Sequence, residues 1–252
     1  MRDAGVSAAL LVAGIIAGLV GTAGGITSLV SYPALLAVGL SPLSANIANI
    51  VALLGCWPGS AVASRPELAG KGSWLRRWVP VAAAGGALGS ALLLTTPPGI
   101  FGRVVPFLVV AGSAALLVQP WLAAHRQRLP GPRSRLGLPV GLLALTVYGG
   151  YFGAGSGVMI LVLLLFTADS DLPRANALKN MLVGGTVVAS AIAFAAFGSV
   201  DWVAVAPLSA GMFVGSMFGP RVTRWMPAGV LRWLIALLGI ALAIQLWLHP
   251  SS

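Results

Sequence analysis

Two glycine-rich runs could bind a ligand with backbone alone. Gly18-Leu19-Val20-Gly21-Thr22-Ala23-Gly24-Gly25 and Gly150-Tyr151-Phe152-Gly153-Ala154-Gly155-Ser156-Gly157 begin 132 residues apart. Each is followed by a short apolar stretch and then a polar helix start. The first such start is Ser41-Pro42-Leu43-Ser44-Ala45-Asn46-Ile47-Ala48-Asn49, the second Pro173-Arg174-Ala175-Asn176-Ala177-Leu178-Lys179-Asn180. A glycine turn strips the backbone of side chains, and the first amides of the helix after it are unpaired donors with partial positive charge. That combination suits an anion. Amides of Gly24–Gly25 and Ser156–Gly157 are expected to hold the anionic group, with Asn46, Asn49, Asn176 and Asn180 as neutral donors. Lys179 would either attract the same anion or snorkel to the membrane surface. Thr27, Ser28, Ser31, Tyr151 and Ser156 flank the turns and are expected to line the cavity. The competing readings are structural: glycine for close helix packing, asparagine for capping and interhelical bonds, hydroxyls for local carbonyls.

Absences narrow the chemistry. Asp169, Asp171, Asp201 and Glu67 all fall between apolar segments, and none lies deep within one. Cation carriers and carboxylate proton relays usually need a buried acid, so a neutral or anionic substrate is expected. There is no H-E-x-x-H, no Ser/His/Asp constellation and no P-loop, so neither an intramembrane enzyme nor an ATP-driven pump is expected, and no metal or cofactor. The single Cys56 excludes an internal disulfide and reads as a small packing residue.

The elements that must position these residues are membrane helices. Of 252 residues, 58% are hydrophobic and 8% charged, where a soluble domain is about one-quarter charged. A soluble enzyme, a nucleic-acid-binding domain and a disordered chain are excluded. Ten apolar segments run over 4–20, 25–39, 44–63, 75–95, 101–121, 136–150, 156–168, 173–197, 202–219 and 229–248. They are too long and too evenly apolar for membrane β-strands. The second, sixth and seventh are too short to cross a hydrocarbon core of about 30 Å. The first two segments and the sixth and seventh therefore pair as candidate re-entrant hairpins, and the crossing count is eight to ten.

If every segment crosses, thirteen of the fifteen basic residues fall on one side, leaving Arg2 and Arg103 on the other. By the positive-inside rule this places both termini outside the cytoplasm. The basic loops report topology and give no reason to expect nucleic acid as a partner. Trp74, Trp78, Trp121, Trp202, Trp225, Trp233 and Trp247 lie near segment ends, as interfacial anchors should. Trp57 falls mid-segment beside Pro58, where a kink is expected.

The doubled motifs imply an internal repeat. Five segments per half, an odd number, would make the second half enter the membrane from the opposite side, an architecture that places a site near the midplane between repeats. The expected fold is thus an all-α polytopic membrane protein of two inverted five-segment repeats. Residues 1–121 form the first repeat, 122–135 a basic cytoplasmic linker, and 136–252 the second repeat.

At these residues the chain resembles the TauE/SafE family of sulfite and organosulfonate exporters. The resemblance rests on Gly18-x-x-Gly21-x-x-Gly24-Gly25, Pro33-x-Leu35, and Gly39 before Ser44-Ala45-Asn46. The second half repeats it as Gly150-x-x-Gly153-x-Gly155-Ser156-Gly157 and Ala175-Asn176. The chain departs from the pattern at Thr22-Ala23, where a third glycine is frequent. It departs again at Met159-Ile160-Leu161-Val162-Leu163, which has no counterpart of Pro33. The resemblance implies a permease of the bacterial cytoplasmic membrane that moves small sulfur-containing anions outward, such as sulfite or sulfoacetate. A drug/metabolite-type ten-helix exporter, a passive anion channel and a non-transporting scaffold remain alternatives, and oligomeric state is left open.

Overall fold

The computed structural model describes residues 4–125 and 137–223. The expected segment 229–248 lies outside the described residues, as does all but 122–125 of the expected linker. So do Trp225, Trp233 and Trp247. Among the described residues all regular structure is helical: α1 (Ala4–Gly24), α2 (Ser28–Ala37), α3 (Pro42–Ala52), α4 (Cys56–Ala63), α5 (Arg65–Leu68), α6 (Gly72–Thr95), α7 (Pro98–His125), α8 (Gly137–Tyr151), α9 (Ser156–Thr167), α10 (Leu172–Phe197) and α11 (Trp202–Thr223).

Local chemistry explains where these helices start and break. Ser41 caps α3 by accepting from the Ser44 amide at 3.3 Å, with Pro42 in the first turn. Asp171 caps α10 in the same way, from the Arg174 amide at 3.2 Å. Between α3 and α4 the helix tightens into a 3-10 turn over Leu53–Gly55. Pro58 lacks the N–H that would bond the Leu54 carbonyl, so the ladder is interrupted there.

Five helical stretches are long and apolar enough to cross a membrane: Ala4–Gly24, Pro42–Ala63, Gly72–Thr95, Leu172–Phe197 and Trp202–Arg221. With 10, 15 and 12 residues, α2, α8 and α9 reach only about 15–22 Å each. The most enclosed stretches are Pro42–Ala63 and Leu172–Phe197, with 67% and 56% of their apolar windows buried against 33% for α1. These two are therefore the axis of the bundle.

Helix pairs around this axis approach backbone to backbone, and their registers give their direction. A Cβ on Gly14 would lie 3.1 Å from Gly211 Cα, and one on Gly215 would lie 2.8 Å from the Leu19 amide, so α1 and α11 run parallel. Gly85 meets Thr146, and Gly89 comes within 2.8 Å of the Tyr151 amide in the same sense, so α6 and α8 are parallel too. Thr186 donates to the Ala82 carbonyl at 3.2 Å and Ser190 to the Gly86 carbonyl at 3.0 Å, which sets α6 parallel to α10. Gly55 abuts Ser209 and Gly59 abuts Phe213, which sets α4 parallel to α11. Gly18 rests on Met212 and Gly150 on Gly86, so parts of both glycine runs serve helix packing, where small residues let backbones approach.

On the side carrying α5, Lys71 Nζ binds the Asp169 carboxylate at 2.9 Å and joins the α5–α6 connection to the α9–α10 connection. Partial burial raises the Asp169 pKa. The Lys71 hydrogen bond, the Asp171 amide and the charges of Lys71 and Arg174 outweigh it, and the carboxyl titrates below its ordinary range. A depressed carboxyl stabilises the fold above the unfolded pKa and loses that contribution as pH falls through the folded one. Asp169→Asn should therefore lower the melting temperature slightly at pH 7, by less than about 1 kcal/mol. Melting curves of variant and parent should converge below about pH 4; a constant gap down to pH 3 would refute the role of the ion pair.

Candidate functional site between two hairpin tips

The turn from α1 to α2 and the turn from α8 to α9 meet inside the bundle. Gly25 has φ +82°, and a Cβ there would lie 2.7 Å from Gly157 C and from the Val158 amide nitrogen. A Cβ on Gly157 would in turn lie 3.0 Å from Gly25 Cα. Only glycine satisfies both the left-handed conformation and the contact. Gly153 and Gly155, at φ +84° and +77°, make the second tip. That tip is held by the Tyr148 hydroxyl, which donates to the Ala154 carbonyl at 2.7 Å. Phe152 packs edge-on against Tyr32 at 5.5 Å and lies 6.3 Å from Phe101, each such pair adding about 0.5–1.5 kcal/mol.

Beside the joined tips lies a cavity of about 50 Å³. The tips contribute Gly21, Thr22, Gly25, Thr27, Ser28, Gly153, Ser156 and Gly157; the axis contributes Leu53, Cys56, Trp57, Ser60, Lys179, Asn180, Val183, Gly184 and Val187. Of the residues expected from sequence, Gly25, Thr27, Ser28, Ser156, Gly157, Lys179 and Asn180 are in this wall. Gly24, Ser31, Asn46, Asn49, Tyr151 and Asn176 are not.

Lys179 is 1% exposed and lies in the wall, pointing its ammonium at the Gly21 carbonyl 3.3 Å away. It does not snorkel, and it forms no ion pair among the described residues. The amides of Thr27, Ser28 and Gly157 form no hydrogen bond among the described residues and sit at the N-termini of α2 and α9. The Gly25 amide instead caps α1, donating to Gly21 O at 2.6 Å, and the Ser156 amide donates to Gly153 O at 3.2 Å. At the second tip the free donor is Gly157, one of the two expected there; at the first tip the free donors are Thr27 and Ser28, two and three residues beyond Gly25, because the turns consume the earlier amides.

The asparagines bind backbone. Asn46 Nδ2 donates to the Tyr151 carbonyl at 2.9 Å and Asn176 Nδ2 to the Thr22 carbonyl at 2.9 Å. Each therefore reaches from one half of the sequence to the end of the other half's first helix. Both leave a buried Oδ1 without a hydrogen-bond partner among the described residues. Asn180 Nδ2 also donates to Thr22 O, at 3.2 Å, and Asn49 Nδ2 donates to Ser28 Oγ at 3.0 Å.

Sequence reasoning missed the wall from α4. Leu53, Cys56, Trp57 and Ser60 are spaced i, i+3, i+4, i+7, one face of a helix. Cys56, taken as a packing residue, lies on that face. Extending the Asn46/Asn49 face two turns onward along the segment would have found it.

Comparison with known proteins agrees with this architecture. Residues 6–246 match the family described as sulfite exporter TauE/SafE. A probable membrane transporter protein, ORF9, of Sinorhizobium sp is 30% identical over 249 residues, covering 96% of this chain and 92% of the relative. A probable membrane transporter protein of Haemophilus influenzae is 26% identical, covering 96% of each chain. The probable membrane transporter protein YfcA of Escherichia coli K12 is 23% identical over 92% of this chain and 86% of its own length. No solved structure matches. With its apolar helices and a family match spanning nearly its whole length, the chain belongs to the TauE/SafE family and is a multi-pass membrane transporter.

Proposed function

We propose that this chain is an exporter of small sulfur-containing oxyanions such as sulfite, sulfoacetate or related sulfonates, working by alternating access at the cavity between the hairpin tips. The observation that carries the reading is Lys179. It is a buried cation in a cavity wall with no carboxylate partner among the described residues, beside amides of two helix N-termini that form no hydrogen bond among them. A charge buried at membrane depth is costly unless paired, and a bound anion supplies the missing partner. The family description supports sulfur chemistry and outward movement. The cavity, about 50 Å³, is well below the roughly 300–1,000 Å³ of drug-sized pockets, which favours a small anion over the substrates of a drug exporter.

Two inverted repeats are part of this proposal. Each close pairing has a counterpart with the halves exchanged: α1 with α11 against α8 with α6, and α4 with α11 against α10 with α6. Both helices that pack on α11 are parallel to it, and both that pack on α6 are parallel to it. In this reading the short connection through α5 reverses the chain between α4 and α6. So α1, α4 and α11 oppose α8, α10 and α6 in direction, as inversion requires. The crossed bonds of Asn46 and Asn176 obey the same exchange. We place the side bearing Lys71 and the other basic loop residues in the cytoplasm of a bacterial inner membrane.

Cys56 provides a native test, because this one thiol lies in the cavity wall. N-Ethylmaleimide should label Cys56 of the purified protein several-fold more slowly with saturating sulfoacetate than without it. Sulfite is unsuitable as protectant here because it consumes the reagent. Equal labelling rates with sulfoacetate and with chloride at matched ionic strength would overturn the site.

A further inference from the structure

The polar network behind the first tip assigns a role that Asn49 cannot play directly. Asn49 is fully buried and outside the cavity wall, whereas Ser28, 5% exposed, is in it. Two hydroxyl contacts orient the Asn49 amide. The contact between Ser31 Oγ and one amide atom is 2.5 Å, and that between the other amide atom and Ser28 Oγ is 3.0 Å. O–H···O bonds span about 2.5–3.0 Å and N–H···O bonds about 2.7–3.2 Å. The Ser31 hydroxyl hydrogen has two acceptors in reach, the Thr27 carbonyl at 2.9 Å and the nearer Asn49 Oδ1; it is donated to Asn49, whose Nδ2 donates to Ser28 Oγ. A serine hydroxyl has one hydrogen. Once Ser28 Oγ accepts from Asn49, that hydrogen is turned away from Asn49, and it has no acceptor among the described residues.

We propose that Asn49 is a positioning residue that, fixed by Ser31, turns the Ser28 hydroxyl hydrogen into the cavity, where Ser28 donates to an oxygen of the transported anion. Counting from Asn46 and Asn176, Asn49 and Lys179 stand at the same register in the two halves. The second half thus offers the anion an ammonium directly, and the first half offers a neutral hydroxyl through an intermediary. This assignment rests on the proposed anion site and deepens it.

A double-mutant cycle tests it, with sulfoacetate affinity of the detergent-purified full chain measured by calorimetry and melting temperature followed alongside. Ser28→Ala should weaken binding about tenfold, the loss of one hydrogen bond to a charged group, and Ser28→Thr, which keeps a hydroxyl, should restore most of it. Asn49→Ala should weaken binding to a similar degree. In the Ser28→Ala background it should have no further effect on affinity, although it still lowers the melting temperature. If the two losses multiply instead, Asn49 acts on the anion independently of Ser28 and the proposal falls. If Asn49→Ala does not yield folded protein, Ser31→Ala replaces it, with the same dependence on Ser28 expected. Normal binding in Ser28→Ala combined with loss in Lys179→Met overturns the role of the hydroxyl and leaves the anion site standing. Full binding in Lys179→Met overturns the site itself.

Discussion

Lys179→Met should weaken sulfoacetate binding about 10- to 150-fold while leaving the protein folded, with a melting temperature at or above that of the parent. The two halves of this expectation have one cause. The ammonium is enclosed and, among the described residues, its hydrogen-bond partner is the Gly21 carbonyl at 3.3 Å. Its burial is a net cost in the empty protein, and replacing buried charge with apolar volume is often neutral or stabilising. Once the anion is bound, the same charge makes a charge-assisted hydrogen bond in a low-dielectric site, worth about 1.5–3 kcal/mol or roughly 10- to 150-fold in affinity. Lys179→Arg should also bind less well, because a planar fork presents its donors in a different geometry from a compact ammonium. Titration calorimetry together with thermal melting separates the outcomes. A Lys179→Met protein that melts lower and binds as tightly as the parent would show that the lysine is structural.

Gly25→Ala should be among the most damaging single substitutions in the chain, and Gly24→Ala, one residue earlier, nearly silent. At Gly25 an added Cβ meets backbone atoms of Gly157 and Val158 at 2.7 Å, and φ is +82°. The left-handed conformation costs about 1–2 kcal/mol and overpacking about 1–3 kcal/mol, and neither neighbour is a side chain that could swing aside. Together these come to about 2–5 kcal/mol, enough to part the tips. At Gly24 the nearest atom to an added Cβ is a flexible Ile26 carbon at 3.9 Å, and the residue ends a helix, where alanine is favoured over glycine. Monodisperse yield and melting temperature in mild detergent measure the contrast. Equal behaviour of the two variants would mean the tips do not touch in the folded protein.

That contrast also marks what sequence alone could deliver. Both glycine runs were legible as turns because glycine density, short flanking segments and the repeated spacing all pointed the same way. Their double use was not: Gly18 and Gly150 sit inside helices against Met212 and Gly86, and partners nearly 200 and about 60 residues away leave no local signature. Lys179 was visible as an anomaly, but whether it faced inward or snorkelled depends on which face of α10 is covered, and α10 is apolar almost all round. The asparagines were recognised as important for an incomplete reason. A side-chain amide at a helix start can donate to a ligand or to a carbonyl, and only the approach of the opposite tip decides in favour of Thr22 and Tyr151. Cys56 was obscured by its apolar neighbours Trp57 and Gly55, although the i, i+3, i+4, i+7 spacing of its face was present throughout.

The parallel packing of α1 on α11 has a consequence for how the protein is made. Translation yields α1 first, and its partner is complete only when Thr223 has been added, about 200 residues later. At about 5–20 residues per second this is an interval of roughly 10–40 seconds. Throughout it, α1 can reside in lipid, since its mean hydropathy is 2.2 and it carries no charge. The glycine face at Gly14 and Gly18 has no packing partner in that time, and the Thr22 carbonyl waits for Asn176 and Asn180. Membrane insertion and tertiary assembly are therefore separate events for this chain, the first proceeding from the N-terminus and the second unable to close until the ninth segment arrives. A ribosome stalled anywhere before residue 202 leaves behind an inserted helix without its α11 partner.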